Sequence, residues 1–263
     1  MIETYYRDHW ESIESERFDR YLKIFEWSDS TWEYLKPAEI KTGEIVVDIG
    51  CGPGYNVIEM ASWVGPAGHV HGLEINQQFL EHANKMAHEK NLGSNVTFHH
   101  VSSSALHFDD ETIDCIVAKN VLVYLDDPIY TLRECFRALK PGGRVHAVDS
   151  DWDIAFAEPV VAEDWRELIQ AASIAFKTPR MGRQLFGCAK SAGFDDVKVA
   201  VVCQPDISGQ LLPLVRILCG YARESGRMKI QKIDSILENC EAAAADNKLL
   251  ILNPQFMVTA YRK

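Results

Sequence analysis

Val46-Val47-Asp48-Ile49-Gly50-Cys51-Gly52-Pro53-Gly54 is a short β-branched run that breaks into glycines, with a helical pattern from Tyr55 onward. Strand, glycine turn and helix in that order open a βαβ unit. Glycines there let the backbone turn sharply and pass close to a ligand, where a Cβ would collide. The following helix adds a positive dipole end and free N–H groups. Asp48 ends an otherwise apolar strand, which is costly unless it is paired or binds something. A second acid, Glu74, ends the next apolar run about twenty residues beyond Gly54, where a carboxylate can take both hydroxyls of an adenosine ribose. The glycines alone also suit a plain tight turn; the two acids and the element order argue against that.

Outward from this bend, the runs 44–49, 69–73, 96–101, 113–118 and 144–148 read as strands, and 55–64, 76–90 and 128–139 as helices, the last stopped by Lys140-Pro141-Gly142-Gly143. Such alternation predicts right-handed βαβ units on a parallel sheet covered on both faces. Upstream, Tyr6, Trp10, Phe18, Tyr21, Leu22, Phe25 and Trp32 fall near helical spacing, which predicts two short amphipathic helices within 5–35. Downstream, 160–176 and 181–191 read as helices, 197–203 as a sixth strand, 211–224 and 229–245 as helices, and 256–261 as a final strand. The expected organisation is a helical cap over 1–40, an α/β core over 41–205, a helical insert over 206–247 and a strand in 248–263 that completes the core sheet.

A net charge of −11 repels phosphate backbones at long range, so nucleic acid is not an expected partner. The seven cysteines are scattered and never form a C-x-x-C pair, so neither a disulfide framework nor a zinc site is expected. His99-His100 lacks a third ligand, and no metal is expected. MIETYYRDHWESIE has charges where a signal peptide needs an apolar run, and no stretch reaches the length of a membrane span. A cytoplasmic monomer or homodimer with no membrane partner is the expectation.

VVDIGCGPG (46–54) resembles the first motif of class I S-adenosylmethionine (SAM)-dependent methyltransferases. It departs from dinucleotide-binding enzymes, whose fingerprint wants a third glycine at the place held by Tyr55. ALKPGGRVHAVD (138–149) resembles the family's turn into strand five, and NPQFMVTAYRK (253–263) its antiparallel seventh strand. The nearest branch is the small-molecule one that includes menaquinone and ubiquinone C-methyltransferases. The resemblance implies an α/β, Rossmann-like seven-strand sheet, mostly parallel with an antiparallel last strand and helices on both faces. It also implies SAM as cofactor and a small-molecule acceptor. Position by position, Asp48, Gly50, Cys51, Gly52 and Gly54 would hold the methionine part, Glu74 the ribose with Ile75 beside it, and Asn120 would face the methionine amine. Ser102-Ser103-Ser104-Ala105-Leu106 lies where the family commonly has an acid beside the adenine. Ser103 and Ser104 would meet the adenine amino group without a charge-assisted bond.

Methyl transfer from a sulfonium is an in-line displacement, and a base is needed only if the nucleophile arrives protonated. Ligands of open α/β sheets lie beyond the carboxyl ends of the strands. That places Tyr124 and the run Asp149-Ser150-Asp151-Trp152-Asp153 near the acceptor. Tyr124, Asp149 and Asp151 are candidate catalytic groups, and Tyr124, Asp151, Trp152 and Arg183 candidate acceptor contacts. The acidic run suits an amine, a base or an oxygen-bound metal, and equally a solvated loop. His146 reads as core rather than catalyst. The stripe Leu211, Leu212, Leu214, Val215, Leu218 and Tyr221 suits a lid, a dimer face or plain core. Two other readings of the chain stay open: a SAM-fold protein that does not methylate, and a SAM-binding regulatory module.

Overall fold

The apolar runs form β1 (Ile45–Ile49), β2 (His69–Glu74), β3 (Val96–His100), β4 (Ile113–Lys119) and β5 (Leu139–Ser150). In the computed structural model, which describes residues 3–102 and 105–263, β7 (Asp196–Val202) and β9 (Gln255–Tyr261) extend these into one sheet. Its order is β3-β2-β1-β4-β5-β9-β7. β9 runs antiparallel to both β5 and β7, and the other neighbours are parallel. The expected α/β sheet, with its antiparallel last strand, is therefore the one observed.

Both faces are covered, as continuous apolar strands require. Val46, Val70 and Cys115 lie side by side in register and pack with Val57, Met60 and Val64 of α4 (Tyr55–Val64). Val47, Ile116 and Val145 point the other way, into the cluster that holds Leu132 of α6 (Pro128–Ala138) and Leu185 of α8 (Met181–Ala192). Each such side chain contributes about 1.5–3 kcal/mol by leaving water. These two layers fix the strand ends, and the strand ends carry the site.

Three details differ from the sequence reading. Three helices precede the sheet instead of two: α1 (Tyr5–Glu11), α2 (Ser15–Phe25) and α3 (Asp29–Leu35). The extra break follows Trp27, where Ser28 Oγ accepts the Thr31 N–H at 3.3 Å and caps α3. Lys140 to Gly143 is not a free turn. It forms the irregular start of β5, with a register shift between the pairs Ile113–Leu139 and Cys115–Arg144. Gly142 N and Gly143 O bond there to Arg262 O and N, at 2.7 and 2.9 Å. Two three-residue strands, β6 (Phe156–Glu158) and β8 (Leu250–Leu252), pair in a small second sheet. They are too short to show a period.

The stripe from Leu211 to Tyr221 resolves as core. α9 (Leu212–Ser225) packs on α7 (Ala162–Ala172), with Val215, Leu218 and Tyr221 buried in the main cluster. α10 (Ile230–Ala245) packs beside α9. His146 is core too. Its Nδ1 is 2.8 Å from Thr259 Oγ1 and its Nε2 2.7 Å from Tyr34 O, and burial pulls its pKa down to about 4. Among the described residues, no helix is long and apolar enough to cross a membrane.

Candidate functional site

The bend after β1 is held from below. Gly50 N and Cys51 N both donate to Leu73 O, at 2.8 and 3.0 Å, which turns the chain over the end of β2. Gly50 has φ +68°, and a Cβ there would lie 2.5 Å from Val121 Cγ2. Gly54 has φ +88°, and a Cβ there would lie 2.6 Å from the Ala83 Cβ of α5 (Gln77–Glu89). Both the left-handed backbone and the close neighbour demand glycine at these two positions.

Glu74 locks the bend sideways. Its Oε2 accepts the Gly52 N–H at 2.8 Å, and its Oε1 accepts those of Ile75 and Asn76 at 2.8 and 2.9 Å. Burial pushes its pKa up, and these three N–H groups pull it back. A carboxylate offers about four acceptor positions. One, on Oε2, is left over.

Above the bend lies a cavity of about 320 Å³. It sits at the carboxyl ends of the strands, where the sheet order reverses between β1 and β4. The floor is the Gly50-to-Pro53 loop with Glu74 and Ile75, continued by Lys119 and Asn120 at the end of β4. Ser102 and Leu106 close one side. The roof is aromatic: Trp10, Phe25 and Tyr124. Tyr124 meets Trp10 edge-on at 5.3 Å between centroids and lies 5.8 Å from Phe176. Burial pushes the Tyr124 phenol far above its ordinary range, so it stays protonated.

Three charges meet under the floor. Asp48 and Asp149 are each 1% exposed, at or next to the ends of β1 and β5, with Lys119 on the strand between them. Burial pushes Asp48 up to about 7 and Asp149 up to about 8, and in both the Lys119 charge acts the other way. Asp149 Oδ2 accepts the Val123 N–H at 3.3 Å. Asp48 Oδ2 is buried with no hydrogen-bond partner among the described residues. Burial lowers the Lys119 pKa against the pull of both acids.

Of the residues singled out from the sequence, Gly50, Cys51, Gly52, Glu74, Ile75, Asn120 and Tyr124 line this one cavity. Asn120 takes φ +53° and donates its N–H to Val148 O at 2.7 Å, which turns the chain off β4. Asp48, Gly54 and Asp149 lie behind the wall. Asp151, Trp152 and Arg183 do not reach the cavity. Asp151 is buried and bonded to Arg183, with Nη2 to Oδ1 at 2.9 Å, and Trp152 stacks on Phe176 at 5.1 Å. Ser103 and Ser104 lie outside the described residues. Trp10 and Phe25 belong to the N-terminal aromatic helices that the sequence reading expected to close over the site, whereas Lys119, Arg7 and Asp126 were not singled out as wall residues. An ionisable residue closing an apolar strand flagged Asp48, and the same signal was present at Lys119.

The match to a known family takes in the strands that build this site. Residues 40–208 match a family described as a methyltransferase domain. The chain belongs to that family. The demethylmenaquinone methyltransferase of Lactobacillus johnsonii is 29% identical over 133 residues, which are 51% of this chain and 53% of that protein. The methyltransferase-domain chain thus spans about half the length of the curated relatives it matches. Among solved structures, Haemonchus contortus phosphoethanolamine N-methyltransferase 2 in complex with SAM matches with a TM-score of 0.66 at 19% identity. That match covers 98% of this chain and 60% of that one. The [4+2]-cyclase SpnF matches with a TM-score of 0.58 at 18% identity, covering 88% and 79%. The methyltransferase fold therefore hosts other chemistry as well.

Proposed function

We propose that this chain binds SAM in the cavity over the glycine bend and transfers its methyl group to a small-molecule acceptor. The observation that carries the reading is the row of features across the sheet's switch point: Glu74, the Gly50–Gly54 bend, and the Asp48–Lys119 end of β1 and β4. Glu74 keeps an acceptor position for a ribose hydroxyl. The bend offers a surface with no Cβ at Gly50 or Gly52. Asp48 holds an unsatisfied carboxylate oxygen beneath the place for the methionine arm. Ile75, Ser102 and Leu106 flank the adenine position. Asn120 lies beside the methionine arm.

When bound, the cofactor supplies a methyl group on a sulfonium that leaves as a neutral thioether. The chain's residues position and desolvate. Trp10, Phe25 and Tyr124 form an apolar wall that excludes water and suits a flat or apolar acceptor. The Tyr124 phenol is protonated, so it orients by donating a hydrogen bond and does not serve as a base. Asp126, at the rim, is exposed and held ionised by the Tyr6 hydroxyl and Lys177, which makes it a weak base. The curated and structural relatives named above act on small molecules by their names, which agrees with a cavity of this size.

Calorimetry on ligand-stripped protein tests the reading. S-adenosylhomocysteine (SAH) should bind with micromolar affinity while NADH does not. Incubation with SAM and a metabolite extract should then release SAH together with a methylated product. No uptake of SAM or SAH at millimolar concentration sinks it.

A further inference from the structure

Lys119 is the last residue of β4 and lines the cavity. In register, Asp48 of β1 faces Val117, so Lys119 projects from the same face as Asp48, one pleat further toward the strand ends. Its ammonium makes no hydrogen bond or ion pair with any described residue, although the charges of Asp48 and Asp149 reach it. Lys119 is half-buried, and an ammonium on a cavity wall with no partner from the protein is free to meet an anionic group of a ligand.

We propose that Lys119 receives the carboxylate of the methionine arm and so makes the site select S-adenosyl ligands that carry it. The assignment rests on the SAM reading above and deepens it. A SAM molecule carries two cations, sulfonium and ammonium, and a single anion. Lys119 repels the first two, and only the carboxylate matches it. The sheet order supplies the direction: Glu74 ends β2 on one side of β1, and Lys119 ends β4 on the other. A ligand with its ribose at Glu74 crosses the bend and brings its amino-acid arm to Lys119, while Asn120 remains for the ammonium. Arg7 is a second cation on the wall, but it is half-exposed and paired with Asp8 and Glu11 of its own helix, at 3.2 and 3.5 Å.

The test compares three ligands by calorimetry: SAH, the same molecule without its carboxylate, and 5′-methylthioadenosine, which lacks the whole arm. Wild type should bind SAH at least about tenfold more tightly than the decarboxylated analogue, as expected for one hydrogen bond between charged groups. Lys119→Met should shrink that gap to about twofold or less and leave methylthioadenosine binding unchanged, because a contact present in only one member of a cycle cannot couple. Lys119→Arg should keep the gap. Binding of methylthioadenosine doubles as the folding control, and Lys119→Gln replaces the Met variant if that control fails. The proposal is overturned if wild type shows no gap, if the gap survives in Lys119→Met, if methylthioadenosine weakens in parallel with SAH, or if Arg7→Gln closes the gap instead. Wild type that takes up none of the three overturns the cofactor reading and this assignment with it. Wild type that binds SAH without preference sinks only Lys119.

Discussion

The floor and the roof of the cavity are built on opposite principles. On the floor, backbone and carboxylate are bonded into one unit: two N–H groups on Leu73 O, three on Glu74, and glycines wedged against Val121 and Ala83. The roof is ring on ring. Tyr5 stacks on His9 at 4.9 Å, Trp10 leans on Tyr21 at 5.0 Å, and Tyr21 stacks on Phe25 at 5.4 Å. Trp10 Nε1 is buried there with no hydrogen-bond partner among the described residues. Few polar ties join the two parts. Asn76 Nδ2 donates to Trp10 O at 2.7 Å, and at the rim the Tyr6 hydroxyl donates to Asp126, which also pairs with Lys177 at 2.9 Å. A floor of directed bonds holds one shape and sets what binds. A roof of stacked rings held by a few ties can part from it, and so sets how fast ligand comes and goes.

The largest effect should therefore come from the floor. Gly50→Ala adds a Cβ 2.5 Å from Val121 Cγ2 at φ +68°. Backbone strain of about 1–3 kcal/mol and a comparable overpacking cost should lower SAH affinity about a hundredfold. Trp10→Ala, on the roof, should change the equilibrium affinity by less than about tenfold and act mainly on the dissociation rate. Calorimetry and stopped-flow release on the two variants compare them directly. Equal losses of affinity would erase the distinction between floor and roof.

Glu74→Ala comes next. It removes the acceptor of three backbone N–H groups as well as the proposed ribose contact, and SAH affinity should fall at least about tenfold. Titration of the variant by calorimetry measures the loss. Unchanged binding would leave Glu74 as a brace for the bend and remove it from the ligand.

How far each part was legible follows from the same contrast. The floor is local in sequence: a strand, its glycines and an acid about twenty residues on form a pattern with one geometric solution. The roof is not. Helical spacing of Trp10, Tyr21 and Phe25 predicts an apolar cap that closes over the site, but not which of its rings face the cavity. Asp151 and Arg183 looked like free charges because the 32 positions between them hide that they are partners. Lys119 was missed for the opposite reason. A lysine at a strand end is usually solvated, and only the register beside Asp48 shows it turned toward the cavity.

The smallest effect is the most diagnostic, because pH acts on the two parts with opposite signs. His9, in the roof, has its ring Nδ1 at Tyr5 O and its Nε2 3.3 Å from the Tyr221 hydroxyl. Burial lowers its pKa from 6.5 to about 4, with Arg17 pushing the same way and Asp8 and the Tyr5 carbonyl opposing. Its folded pKa is depressed, so its contribution to stability is complete above the unfolded value and drains away as pH falls toward 4. Asp48 and Asp149, in the floor, have folded pKa values raised from 3.8 to about 7 and about 8. Their contribution is complete below the unfolded value and is lost as pH rises through 7 and 8. Moving from pH 8 to pH 6 should thus cost the roof about 1 kcal/mol, while the two acids of the floor gain and His146 of β5, lowered to about 4 like His9, offsets part of that gain. Hydrogen exchange, corrected for the intrinsic rate at each pH, reads the two separately. Protection of the α1 amides should fall at pH 6 while that of β1 and β4 rises or holds. If both moved in the same direction, floor and roof would open as one cooperative unit, and a roof that parts on its own would no longer be available to set the rate of ligand exchange.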